Sequence, residues 1–167
     1  VLTADATNSL AIGCTNSSTL NMYDTEIYEN TGSYGTIFVS SVATFNLYGG
    51  KIHDNNTENS GAVDCNNGFF NMYGGEAFDN HTNNYGSFMF LLGDLAEAKI
   101  YAGKIYNNHA NLEANAAIYR NNSKAQLWIG AGAQIYGNTA GTDKHAADVV
   151  LNGSQKISIL ERLISSS

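Results

Sequence analysis

Asp54 and Asp79 stand in matching contexts, KIHDN and EAFDN, and Glu29 occupies the same place in EIYEN. If these segments stack one above another, the three carboxylates fall about 5 Å apart. Acids that close can bind a hard cation such as Ca²⁺. With one pKa raised, they can instead do acid–base work on a polysaccharide. The rest of such a site is thin. The chain has only Arg120 and Arg162 as guanidinium groups. It has no recognisable nucleophile, phosphate-binding loop or Ser/His/Asp arrangement. His53, His81, His109 and His145 fall on different repeats or loops without metal-ligand spacing. The reading is therefore solvated turn carboxylates, with no catalytic residue, no metal and no cofactor: not an enzyme.

The aromatic residues offer a second chemistry. Aligning the repeated segments places Tyr23, Tyr48, Tyr73, Tyr101 and Trp128 in one column, and Tyr28, His53, Phe78, Tyr106 and Tyr136 in another. Both columns are expected on the outside, flanking a Gly-Gly corner, because Leu47 and Ile52 take the inward positions. Rings about 4.8 Å apart form a strip that suits the apolar faces of sugar rings. The alternative is that the stacked rings stabilise the fold and keep their hydroxyls wet. A third surface is expected at Phe88-Met89-Phe90-Leu91-Leu92, which is apolar on both strand faces. Met89 and Leu91 match inward Val63 and Cys65. Phe88 and Phe90 then face out, beside Ile37 and Val39 on one side and Tyr119 on the other. Such a strand needs a cover, either a loop of the same chain or a second chain.

The elements that must position these residues come from a repeat. LNMYDTEIYEN (20–30), FNLYGGKIHDNN (45–56), FNMYGGEAFDN (70–80), AKIYAGKIYNN (98–108) and AQLWIGAGAQIYGN (125–138) share one template. The aliphatic pivots Ile27, Ile52, Ala77, Ile105 and Ile135 recur at intervals of 25, 25, 28 and 30 residues. Within each copy apolar residues alternate at period two, which is strand periodicity. A further strand precedes each copy, at 11–14, 36–41, 61–66, 87–92, 116–121 and 147–152. Short strands broken by Gly, Asn and Ser give an all-β fold, a single-stranded parallel β-helix (β-solenoid) of about five to six coils of 25–30 residues. Coils run over about 10–152 of a single domain, 1–167. Residues 153–167 read as a C-terminal cap or linker, with ISILERLI a last strand or a short helix.

The same alignment predicts further columns. Met22, Leu47, Met72, Ile100 and Leu127 form an apolar core column. Glu26, Lys51, Glu76, Lys104 and Gln134 alternate in sign, so neighbours pair. Asn30, Asn55, Asn80, Asn108 and Asn138 either hydrogen-bond as a ladder of amides or merely tolerate a left-handed turn. Cys14 and Cys65 share a column two coils apart, with Ser40 between, and are expected as buried free thiols.

Composition bounds the partners. The net charge is −7 with eight Lys plus Arg and no basic run, which argues against nucleic acid. No apolar stretch reaches membrane-spanning length, so no membrane insertion by this segment is expected. There is no Pro, and the chain begins without Met or a basic-then-apolar leader, as a mature or excised piece of something longer would.

YGGKIHDN, YGGEAFDN and the weaker YAGKIYNN resemble the Gly-Gly-x-Ile-x-x-Asn repeats of bacterial adhesin-like surface proteins. They are also similar to the repeats of polymorphic outer-membrane autotransporters, with Phe78-Asp79-Asn80 carrying the Phe form of their FxxN motif. The resemblance covers roughly residues 20–140. It departs at Asp24-Thr25, where Gly-Gly is expected, and at the insertion Gly130–Ala133. It implies a right-handed coil displayed extracellularly or at the cell surface, as an adhesin-like module. Its partners would be a cell-surface glycan, a host or partner protein, a second copy of itself, or neighbouring domains of a longer chain. The alternatives are a carbohydrate-active β-helix enzyme and a purely structural spacer.

Overall fold

The computed structural model describes residues 10–113, 115–151 and 155–160. Among these there is no helix, and parallel strands stack into a β-solenoid of about five turns. Each turn carries strands on successive faces. The first face holds Ile12–Cys14, Ile37–Ser40, Val63–Asn66, Met89–Leu92, Ile118–Arg120 and Val149–Leu151, in that spatial order. The second holds Thr19–Met22, Thr44–Leu47 and Phe69–Met72, and the third Glu26–Tyr28, Lys51–His53 and Glu76–Phe78. Glu97–Tyr106 and Gln126–Tyr136 run through the corner and join the second and third faces into one sheet. On the second and third faces, alternation of apolar and polar residues buries one side of each strand against the axis and leaves the other more exposed. On the first face, 63–65, 89–91 and 118–120 are buried on both sides.

The Asn-, Thr-, Gly- and Ser-rich segments that connect the coils contain a fourth strand of two residues per turn: Thr31–Gly32, Asn56–Thr57, His81–Thr82, His109–Ala110 and Thr139–Ala140, in register. Two residues are too few to show an alternating pattern, so this face was not visible as a strand. Ile157–Leu160 is a strand paired with Leu127–Gly130, continuing the coil. The remaining parts of the expected cap or linker, 153–154 and 161–167, lie outside the described residues, as does Arg162.

The core is a stack of identical layers. Leu20, Phe45, Phe70, Ala98 and Leu127 form one inward column, and Met22, Leu47, Met72, Ile100 and Ile129 the next. Leu127 therefore follows Ala98, not Ile100. The strand 126–136 has one residue more than 97–106 between Ile129 and Gly132, and the bulge absorbs it. Cys14 and Cys65 are free, buried and two turns apart, with Val39 between them in place of Ser40. Burial pushes the Cys65 thiol up to about 12, so it stays protonated.

Three residues expected on the outside belong to this core. Ile37 and Val39 are fully buried and share columns with Val63 and Cys65. Phe88 is also fully buried, at the turn before the first face, and packs edge-on to Phe70 at 5.9 Å. It stands between the small residues Ala62 and Ala117 of neighbouring turns, whose lack of bulk leaves room for its ring. Phe90 and Tyr119 do point outward, and a segment of the same chain covers them: Tyr85 stacks on both, at 5.1 and 5.3 Å.

Candidate functional site: ring ladders and an aromatic cleft

The first aromatic column forms a ladder. Tyr23, Tyr48, Tyr73 and Tyr101 stack with centroids 4.9, 5.0 and 4.9 Å apart and planes within 9° of parallel. Trp128 is not a member. The bulge sets it beside Lys99, and no ring follows Tyr101. In the second column Tyr28, His53, Phe78, Tyr106 and Tyr136 stack at 5.1, 4.7, 5.1 and 5.4 Å. This geometry bears on sugar binding. A sugar packs on a ring face, but both faces of Tyr48 and Tyr73 already touch the next ring. What the ladder presents to solvent is ring edges and hydroxyls.

The charged column flanks the second ladder and fixes it. Lys51 pairs with Glu26 and Lys104 with Glu76, each at 3.0 Å. The Tyr106 hydroxyl donates to Glu76 Oε2 at 3.1 Å. The Lys104 hydrogen bond is the main cause holding Glu76 below the usual carboxylate range. Burial, with the Glu76 carboxylate beside it, pushes the Tyr106 phenol up to about 12.

The Asn column is a true ladder. Asn30, Asn55, Asn80 and Asn108 each donate through Nδ2 to Oδ1 of the next Asn, at 2.8–2.9 Å, and all are buried. Asn138 continues it by donating to Asp148 Oδ1 at 2.8 Å. The left-handed turn residue is the one before each Asn: Glu29, Asp54, Asp79 and Asn107 have φ of 55°, 52°, 51° and 55°. So the Asn side chains are chosen for their amides, and the preceding acids only tolerate the turn. Asp54 and Asp79 are exposed. Partial desolvation first, and then the Asp54 charge, raise Asp79. Among the described residues no group of three His, Cys, Asp or Glu is placed to hold a metal. His53 engages Asp54 at 2.7 Å, and His81 is held between Asn56 and Asn111.

The arrangement that sequence alignment missed lies on the outward side of the first face. Its central column runs Phe38, Asp64, Phe90, Tyr119. Just before each strand the chain passes Tyr34-Gly35, Ser60-Gly61 and Tyr85-Gly86. The turn holding Asp64 thus carries Ser60 and Asp64 where its two neighbours carry Tyr and Phe. Two rings are missing from the middle turn. Their absence leaves a cleft of about 440 Å³, walled by Tyr34, Phe38, Tyr85 and Phe90, with Leu10 and Leu92 at its ends and Asn59 and Asn66 beside it. Close backbone packing fixes its floor: a Cβ on Gly35 would come within 2.9 Å of Asp64. Asp64 is only 6% exposed, and its Oδ1 is buried without a hydrogen-bond partner. Burial pushes the Asp64 carboxyl up to about 6, with the Ser60 hydroxyl opposing. Among the described residues no Lys, Arg or His lines the cleft.

Of the sites read from sequence, then, the two ladders form, less Trp128. Of the surface expected at the apolar strand, only Phe90 and Tyr119 are outward. Tyr34, Phe38, Ser60, Asp64 and Tyr85 were missed. The available signal was the break in the column, an Asp between two Phe at equivalent positions.

No protein-family model, curated protein or solved structure matches the chain.

Proposed function

We propose that this chain is a non-catalytic, adhesin-like β-solenoid module, displayed extracellularly, that presents a ligand cleft on its first face. The supporting observation is the cleft itself: an aromatic slot with a buried carboxylate whose Oδ1 has no hydrogen-bond partner. A buried polar atom without a partner is costly to keep and marks a place where a ligand completes the bonding. The repeat resemblance supports surface display. Glycoside hydrolysis uses two carboxyl groups across the scissile bond, whereas Asp64 is the single carboxylate among the described residues lining this cleft. That favours binding over catalysis.

A structural spacer is the second reading. It is favoured by the ladders, whose ring faces and amides are satisfied by one another. The two readings separate in a ligand screen of surface glycans, peptides and small metabolites. The wild type is run beside Ser60→Tyr, which restores a ring to the slot, and beside a Tyr48→Ala/Tyr73→Ala/Tyr101→Ala triple variant. The binding-module reading expects a ligand that Ser60→Tyr loses and the triple variant keeps. No ligand for the wild type, or a ligand lost only by the triple variant, overturns it.

A further inference from the structure

The chemistry of the cleft narrows its ligand. Its walls are four rings, drawn two each from the turns on either side of Asp64: Tyr34 and Phe38, then Tyr85 and Phe90. The strands bearing Phe38 and Phe90 are two coil spacings apart, about 9.6 Å. A slot that wide can take a compact group between the rings, over the carboxylate. Ring faces carry negative potential and attract cations, most strongly where water is excluded. The carboxylate adds a full negative charge, and no basic side chain in the cleft competes for it. A hard metal ion favours several converging carboxylates, and Asp64 is the one carboxylate among the described residues lining the cleft. An anion would meet the Asp64 carboxylate with no basic side chain among the described lining residues to offset it.

Resting on the reading of this cleft as the binding site, we propose that it takes an organic cation bearing an alkylated ammonium group, with Asp64 as counter-ion and the four rings as its cage. The ammonium's methyl groups pack against Tyr34 and Phe38, which stack on no other ring among the described residues, while Tyr85 and Phe90, stacked on each other at 5.1 Å, bound the far side of the slot; its charge compensates the carboxylate. Asp64 must be ionised to play this part. The titratable and hydroxyl groups lining the cleft with it are the Ser60 hydroxyl and the phenols of Tyr34 and Tyr85, with the neutral Cys65 thiol on the inward side of the same strand. None of them is a cation. Affinity therefore falls as the solution is acidified through the Asp64 titration.

The test is calorimetric titration of the intact chain with choline and with tetramethylammonium, beside 3,3-dimethyl-1-butanol, the uncharged isostere of choline. The isostere is expected to bind roughly tenfold more weakly or worse, and Asp64→Asn to weaken choline to a similar degree. Ser60→Tyr is expected to abolish choline binding, with the circular dichroism spectrum unchanged. Phosphatidylcholine vesicles in a parallel co-sedimentation distinguish a lipid headgroup from a free cation as the source. Equal binding of choline and its isostere overturns the proposal, as does binding indifferent to Asp64→Asn. The isostere comparison uses wild-type protein, so it does not depend on a variant folding. If neither cation binds while Ser60→Tyr still removes a ligand found in the broader screen, the cation assignment falls and the cleft stands. If both fail, both readings fall.

Discussion

At the scale of single residues, two buried polar groups behave in opposite ways. Asp64 has its pKa raised from 3.8 to about 6, so its ionisation opposes folding. The sign follows from linkage: the folded state holds the proton more tightly, and stability is lost as pH rises from about 4 through about 6. The loss amounts to about 3 kcal/mol above that range. Asp64→Asn is therefore expected to stabilise the chain by up to about 3 kcal/mol near neutral pH and by almost nothing near pH 3.5, read by urea unfolding at the two values. A gain of equal size at both would contradict this account. Asn80 is the converse. Its Oδ1 accepts from the Asn55 side chain and backbone, and its Nδ2 donates to Ile52 O, Phe78 O and Asn108 Oδ1. Asn80→Ala orphans several buried partners at once and is expected to cost about 4 kcal/mol in the same assay. The ladder was half legible in sequence. The recurrence of Asn was plain, but which residue took the left-handed turn was not, because Glu29, Asp54, Asp79 and Asn107 occupy that position in four copies and only Gly137 marks it in the fifth.

At the scale of elements, the strands are held by how closely successive turns approach at their corners. A Cβ on Gly61 would overlap the Gly86 carbonyl oxygen, whereas a Cβ on Gly13 meets nothing within 4 Å. Both glycines adjoin or belong to the first face, so they make a matched pair. Gly61→Ala is expected to lower stability by about 3 kcal/mol through overpacking against backbone. Gly13→Ala is expected to raise it by about 0.5–1 kcal/mol by removing chain freedom from the unfolded state. Thermal unfolding of the two variants checks both signs. The strands of the first face were legible to within two residues at each end, because each is a short run rich in apolar residues bounded by Gly, Asn, Ser or Ala. Their register was less so. The sequence alignment paired Cys14 with Ser40, but the structure pairs it with Val39. A one-residue slip exchanges the two faces of a strand. That is why Ile37 and Val39 were expected outside while Phe38, a cleft residue, went unnoticed.

At the scale of the whole molecule, each turn bonds mainly to its two neighbours, through the ring ladders, the Asn amides and the strand pairs. Stability is then a sum of turn and interface terms, and the ends are weakest. Hydrogen exchange is expected to be slowest for amides of 63–72 and progressively faster toward 12–22 and 157–160. Uniform protection would show a single cooperative block instead. The solenoid was legible because its template repeats, whereas the cleft arises where the repeat fails, at Ser60 and Asp64 in one turn. A consensus view discards such departures. They matter only once Tyr34, Phe38, Tyr85 and Phe90 are brought around them from segments about 25 residues away on either side. The central claim is that ligand recognition sits in this gap and not on the regular ladders. Chemical-shift mapping of ¹⁵N-labelled protein during a choline titration tests it most directly. The account predicts saturable shifts centred on Tyr34, Phe38, Asp64, Tyr85 and Phe90, which in Asp64→Asn require roughly tenfold more choline or worse. Shifts centred on Tyr48, Tyr73 and Tyr101, or none at all, would contradict it.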